Sequence, residues 1–134
     1  MEFTWNDNLS VGIEEIDQQH KNIYEVVNMF LKSASSGMGK IEIASTLDFL
    51  IKHIEDHFCA EEELMEQHSY PGLSDHKAEH DEFKETIFEL KEMLDVVGPS
   101  LSMLSKLSRI LRNWIPTHIE EIDKQFADFI HNKS

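Results

Sequence analysis

The sequence predicts an all-α fold, an antiparallel up-down-up-down four-helix bundle entered by an irregular N-terminal arm. Three observations predict it. Apolar residues recur in steps of three and four through four long stretches, the spacing that gives a helix one buried face. Helix-breaking residues cluster at three interior places, Ser33–Gly39, Ser69–Gly72 and Gly98–Pro99, so the connections are short. No segment of useful length alternates apolar and polar residues, and no internal repeat is present.

Each element follows in order. Residues 1–16 form the arm, with Phe3, Trp5, Val11, Ile13 and Ile16 as anchors. Asp17 is the predicted N-cap of a first helix to about Ser36, whose apolar face holds His20, Ile23, Tyr24, Val27, Phe30 and Leu31. A second helix, about Lys40 to Gln67, carries Ile43, Leu47, Leu50, Ile54, His57, Phe58, Glu61, Leu64 and Met65 on one face. Ser69–Gly72 is a turn, and Ser74 caps a third helix to about Val97. Its face is His76, His80, Phe83, Ile87, Leu90, Leu94 and Val97. A fourth helix runs from about Ser100 to Phe129, interrupted near Pro116, with Leu104, Leu107, Leu111, Trp114, Ile115, His118, Ile119 and Ile122 inward.

Composition bounds the function. A chain of 134 residues with 40% hydrophobic content suits one domain, residues 1–134, with one core. No run of about 18 apolar residues occurs, so no transmembrane helix is expected. The polar, acidic start MEFTWNDNLS lacks a secretory layout, which makes a cytoplasmic location the expectation. A net charge of -14 argues against nucleic acid and anionic membranes as partners. The lone Cys59 leaves no internal disulfide and no thiolate metal cluster; it is expected to be a small side chain beside the helix stripe.

The informative residues are polar ones on apolar faces. His20, His57, Glu61, His76, His80, His118 and Asp123 all fall on predicted inner stripes, where an uncompensated imidazole or carboxylate is costly. In an antiparallel bundle, the start of helix one, the end of helix two, the start of helix three and the end of helix four share one end, so all seven share one level. His57 and Glu61, like His76 and His80, stand one turn apart on one face. His118 and Asp123 are five apart, which an ideal helix does not align; Pro116 or a π-type turn supplies the distortion. Five imidazoles with two carboxylates suit iron better than magnesium or calcium. Seven ligands exceed one tetrahedral ion, and two ions bridged by Glu61 and Asp123 account for all of them.

Trp5, Ser10-Val11-Gly12-Ile13, Ile16-Asp17-Gln18-Gln19-His20, His57-Phe58-Cys59-Ala60-Glu61-Glu62, Tyr70 through Asp81, and Trp114 with His118-Ile119-Glu120-Glu121-Ile122-Asp123 resemble the hemerythrin family, and its bacterial single-domain members above all. The resemblance runs from Trp5 to about Phe129. It implies a single di-iron domain with an oxo or hydroxo bridge between two irons. One iron is then held by His76, His80 and His118, and the other by His20 and His57 with a position left open. It further implies dioxygen as the ligand, bound reversibly for storage, transport or delivery, and no enzymatic activity. Ile23, Trp114 and Ile119 are where such a protein lines its oxygen pocket. The resemblance also selects His57 over His53, because only His57 heads the His-Phe-x-x-Glu-Glu pattern. His53, His68 and His131 are expected at the surface or hydrogen-bonded. Pro116, two residues before His118, departs from the family pattern.

Other functions leave weaker traces. A ferritin-like oxidase needs glutamate three residues before histidine, and no histidine here has it. A zinc hydrolase finds its short motif in His76-Lys77-Ala78-Glu79-His80 but leaves His20, His57 and Glu61 unexplained. A module that senses dioxygen or iron through a partner protein is the alternative within the family. The sequence names no such partner.

Overall fold

The computed structural model describes residues 3–37 and 39–132. Met1, Glu2, Met38, Lys133 and Ser134, which belong to the predicted arm, first break and C-terminus, lie outside the described residues. The architecture is a four-helix bundle, and no strand occurs among the described residues. The arm makes one 3-10 turn at Asp7–Leu9 before helix α1, Glu14–Ser35. Then come α2, Lys40–Gln67, α3, Leu73–Val97, and α4, Leu101–His118. A π-helical turn at Ile119–Asp123 leads into α5, Lys124–His131. Among the described residues, no helix is long and apolar enough to cross a membrane.

The predicted stripes form the core. Phe30, Leu47, Leu50, Leu94, Leu107 and Leu111 are fully buried, one or two from each long helix. They fill the end of the bundle opposite the polar cluster. Val97, placed on the third stripe by its spacing, is instead exposed. It is the last residue of α3, beyond the level at which neighbouring helices cover it.

The helix ends correct two expectations. Asp17 is not the N-cap of α1; that position is Ile13, and the helix starts four residues earlier. The Asp17 carboxylate works from inside the first turn. It accepts from Ser10 Oγ at 2.5 Å and from the Val11 backbone at 2.8 Å, which ties the arm to the helix. An ionised acid there also opposes the positive end of the helix dipole. Ser74 likewise lies within α3, whose N-cap is Gly72, with no side-chain cap bond. Ser100 does cap α4, its Oγ accepting from Met103 N at 3.1 Å.

The fourth helix is not interrupted at Pro116. α4 continues through it, and the break is the π turn that follows. Proline lacks the N–H that would bind the carbonyl four residues back, so the ladder there is already one bond short. The Ile119 N–H is shared between Ile115 O and Pro116 O, and Lys124 N–H reaches back five residues to Ile119 O. One extra residue in the turn brings His118 and Asp123 to the same face.

The turn after α2 is equally specific. Ser69 N–H bonds Glu66 O at 3.1 Å, and Tyr70 N–H bonds Met65 O at 2.9 Å. This is a Schellman closure, with Ser69 at φ 53 in the left-handed position that glycine usually takes. It reverses the chain between the residue pairs His57/Glu61 and His76/His80. The arm is held down from the far terminus. His131 Nε2 lies 3.2 Å from Val11 O, and a Cβ on Gly12, which has φ +78, would meet that ring at 2.8 Å. Gly12 is therefore required by both its backbone angle and its close neighbour.

Candidate metal centre

Each helix delivers its polar residues to the same level. α1 supplies His20, α2 His57 and Glu61, α3 His76 and His80, α4 His118, and the π turn Asp123. All seven are at most 4% exposed. Their ligand atoms form two overlapping groups, Glu61 with His76, His80, His118 and Asp123, and His20 with His57, Glu61 and Asp123. The two acids belong to both.

The distances show how they are shared. Glu61 Oε1 lies 2.7 Å from His76 Nε2 and 3.3 Å from His80 Nε2, whereas Oε2 faces His57 Nε2 at 3.6 Å. Asp123 Oδ1 lies 2.9 Å from His76 Nε2 and 3.0 Å from His118 Nε2, whereas Oδ2 faces His20 Nε2 at 3.0 Å. Each carboxylate thus offers one oxygen to each group. None of these four buried oxygens has a hydrogen bond of proper geometry among the described residues.

The outer nitrogens settle the tautomers. His57 Nδ1 is 2.6 Å from Gln19 Oε1, His80 Nδ1 is 2.8 Å from Glu62 Oε2, and His118 Nδ1 is 3.4 Å from Glu79 Oε1. A carbonyl or carboxylate only accepts, so these Nδ1 atoms carry the protons and the Nε2 atoms present lone pairs. His80 Nε2 and His118 Nε2 are 3.1 Å apart, lone pair facing lone pair. His20 Nε2 and His57 Nε2 are also 3.1 Å apart. The contact between His80 and His118 is repulsive by itself, and both pairs of nitrogens are favourable around a cation. The donor set therefore fits two cations, one per group.

The electrostatics agree. Burial, with His20 next to it, pushes His57 down to about 3. Burial, with His76 and His118 nearby, pushes His80 down to about 2. Both stay neutral, as a metal ligand must. Burial disfavours a charged His76 as well, but contacts with Asp123 and Glu61 outweigh it and lift it to about 9. Burial and the neighbouring Asp123 push Glu61 well above the usual carboxylate range. Asp123 goes the other way; burial opposes its charge, and His118, His20 and His76 more than compensate.

Packing separates the two groups. Phe58 stacks on His80 with ring centres 3.8 Å apart, and Trp114 stacks on His118 at 4.3 Å. Phe83 stacks on the other side of Trp114 at 3.9 Å. A cavity of about 20 Å³ touches both imidazoles of one group, His20 and His57, the shared Asp123, and His118 of the other group. Ile23, Trp114 and Ile119 line it, as do Ile54, Phe58, Phe83 and Ile115, which the sequence analysis did not single out for this. Gln19, Glu62 and Glu79 were also missed as histidine partners. The signal for these three was their position next to a ligand residue in sequence.

Residues 11–130 match the family model of the hemerythrin HHE cation binding domain. The chain belongs to the hemerythrin family. The bacteriohemerythrin of Stenotrophomonas maltophilia is 34% identical over 124 residues, covering 92% of this chain and 78% of that one. The myohemerythrin of Theromyzon tessulatum is 27% identical and covers 92% of this chain and 90% of its own. A crystal structure of wild-type hemerythrin has a TM-score of 0.85 at 29% identity, covering 93% of this chain and 95% of that one.

The remaining histidines of this hemerythrin-family chain lie elsewhere. His53 is half-buried and its Nδ1 lies 2.9 Å from Phe49 O, so it faces its own helix backbone. His68 caps the end of α2, and His131 clasps the arm. Cys59 is exposed. Glu79, which a zinc hydrolase would use as its base, sits behind His118 on the Nδ1 side, with a side chain 41% exposed. A base must reach the metal-bound water, and that position is on the wrong side of the ring.

Proposed function

We propose that this chain binds dioxygen reversibly at two iron ions held by the seven converging side chains, as an oxygen store, carrier or delivery protein. His76, His80 and His118 would hold one ion and His20 and His57 the other, with Glu61 and Asp123 offering an oxygen to each. Such an iron pair supplies the electrons that bind dioxygen. The chain's own work is to hold neutral imidazoles in place, to keep the pocket dry and to limit the protons that reach it.

The observation that carries this reading is the unequal pair of ligand groups with a small, mostly apolar cavity that meets both imidazoles of the smaller group and only His118 of the larger. Three imidazoles and two carboxylate oxygens crowd one side. Two imidazoles and two carboxylate oxygens serve the other, where Ile23, Ile54 and Ile119 face the cavity. A small apolar ligand suits that space, and a peptide or other hydrolysable substrate does not. The arm, bundle and site act as one domain over residues 1–134.

Metal analysis and oxygen titration test the proposal. Two irons per chain and one dioxygen per iron pair, with a visible band that appears on oxygenation and fades on removal of oxygen, are expected. One tightly held zinc and no oxygen-dependent band would overturn it.

A further inference from the structure

Three outer hydrogen bonds share one design. Gln19 precedes His20 on α1 and reaches His57 on α2 at 2.6 Å. Glu62 follows Glu61 on α2 and reaches His80 on α3 at 2.8 Å. Glu79 precedes His80 on α3 and reaches His118 on α4 at 3.4 Å. A residue next to an inward-facing one is rotated by about 100° from it, onto the helix flank that meets the neighbouring helix. In each case a ligand's chain neighbour holds the imidazole of the next helix.

The fourth link is missing. The chain neighbours of Asp123 are Ile122 and Lys124, and Lys124 Nζ donates to Asn8 O at 2.9 Å. His20 Nδ1 is buried with no hydrogen-bond partner among the described residues. The belt is also unequal in charge. His80 and His118, in one ligand group, have carboxylates behind them; His57, in the other, has a neutral amide.

We propose that Gln19, Glu62 and Glu79 are positioning residues that fix the histidine tautomers and make the two halves of the centre electronically unequal. A carboxylate accepting from Nδ1–H makes Nε2 a stronger donor and favours the more oxidised ion beside it. A neutral amide orients the ring and donates less. The ion held by His80 and His118 is therefore the better stabilised when oxidised. Glu62 acts most strongly, because its bond is short and its side chain is 19% exposed, against 41% for Glu79. This rests on the di-iron reading above.

Two measurements test the belt without dioxygen. In the zinc-loaded full chain labelled with ¹⁵N-histidine, the Nδ1 atoms of His57, His80 and His118 should be protonated and slow to exchange, whereas His20 Nδ1–H exchanges faster. In Glu62→Ala, His80 should lose that protection and iron(II) affinity should fall about 10–100-fold. Glu62→Gln keeps an acceptor and should keep the protected proton, yet raise the midpoint potential of the iron-loaded protein. Gln19→Glu should lower that potential. Failure of the parent protein to bind dioxygen would leave these readouts intact and count only against the proposed function. An unprotonated His80 Nδ1 in the zinc-loaded parent, or a Glu62→Gln variant with unchanged potential, would overturn the inference.

Discussion

The two halves of the cluster use the same residue types in different surroundings. His80 and His118 are packed under aromatic rings, with Phe58 flat on His80 and Trp114 flat on His118. His20 and His57 meet each other edge to face and look onto the apolar cavity. The first half touches that cavity only through His118. The second meets it with both of its imidazoles. The difference teaches that the number of donor groups does not by itself set the surroundings of each half; the packing beside each set of imidazoles decides which of them borders open space.

The largest expected effects come from the shared acids. Asp123→Asn and Glu61→Ala each alter an acid whose oxygens face both halves, so both should leave the chain with less than half the parent iron content. His20→Ala removes a ligand of one half only and should leave about one ion per chain. Iron content measured after gel filtration distinguishes the cases. Equal loss in His20→Ala and Asp123→Asn would show that the halves are not separable.

Next in size is the pH response of the metal-free protein, followed by thermal melts from pH 4 to 9. His57 and His80 titrate in the native state at about 3 and about 2. In the unfolded chain they take up protons near the ordinary 6.5. Stability is therefore lost as pH falls below about 6.5. His76, held at about 9, does the reverse, and its contribution is lost as pH rises from 6.5 through 9. Asp123, whose native value is depressed, adds a further loss on strong acidification; Glu61, whose value is raised, loses its contribution as pH rises above the carboxylate range. Maximum stability of the metal-free chain is expected near pH 6.5, and bound metal should flatten the dependence on the alkaline side.

The cavity wall comes third. Trp114→Ala removes the ring between Phe83 and His118 and should speed autoxidation of the iron-loaded protein, since a polar site beside the gap admits water. Its stability cost is about 3 kcal/mol. Ile119→Ala opens a smaller gap and should have a smaller effect of the same sign. Stopped-flow absorbance at fixed pH, with iron content matched, measures both. Rates equal to the parent would reduce these side chains to core packing.

The smallest effects are expected outside both halves. His53→Ala and His68→Ala should leave iron content unchanged and shift stability by less than about 0.5 kcal/mol. His131→Ala loses the contact with Val11 O and should cost about 1 kcal/mol, with loosening of the arm visible by amide exchange. An emptied site in His53→Ala would reassign the ligand on α2.

The periodic stripes made the helices legible, because burying one face of a helix demands apolar residues every three or four positions. Seven polar residues on those stripes made the cluster legible, because such burial is costly without a compensating partner. The His118–Asp123 spacing even flagged the distortion, and of the two causes it allowed, Pro116 or a π-type turn, the π turn at Ile119–Asp123 is the one found. Helix starts were less legible. Asp17 and Ser74 have the side chains of N-caps, and backbone geometry put Ile13 and Gly72 there instead. Capping is worth about 1 kcal/mol, which arm and turn packing readily override.

By itself, the sequence determined the four-helix bundle, the level of the polar cluster and the shared membership of Glu61 and Asp123 in a seven-residue set. Each of these follows from spacing along one helix and the direction of the chain. Only the tertiary structure decided which carboxylate oxygen faces which imidazole, where the π turn falls, that a cavity adjoins His20 and His57, and that Gln19, Glu62 and Glu79 stand behind the rings. These are contacts between helices, set by how flanks and faces meet across the bundle, and no period within a single helix encodes them.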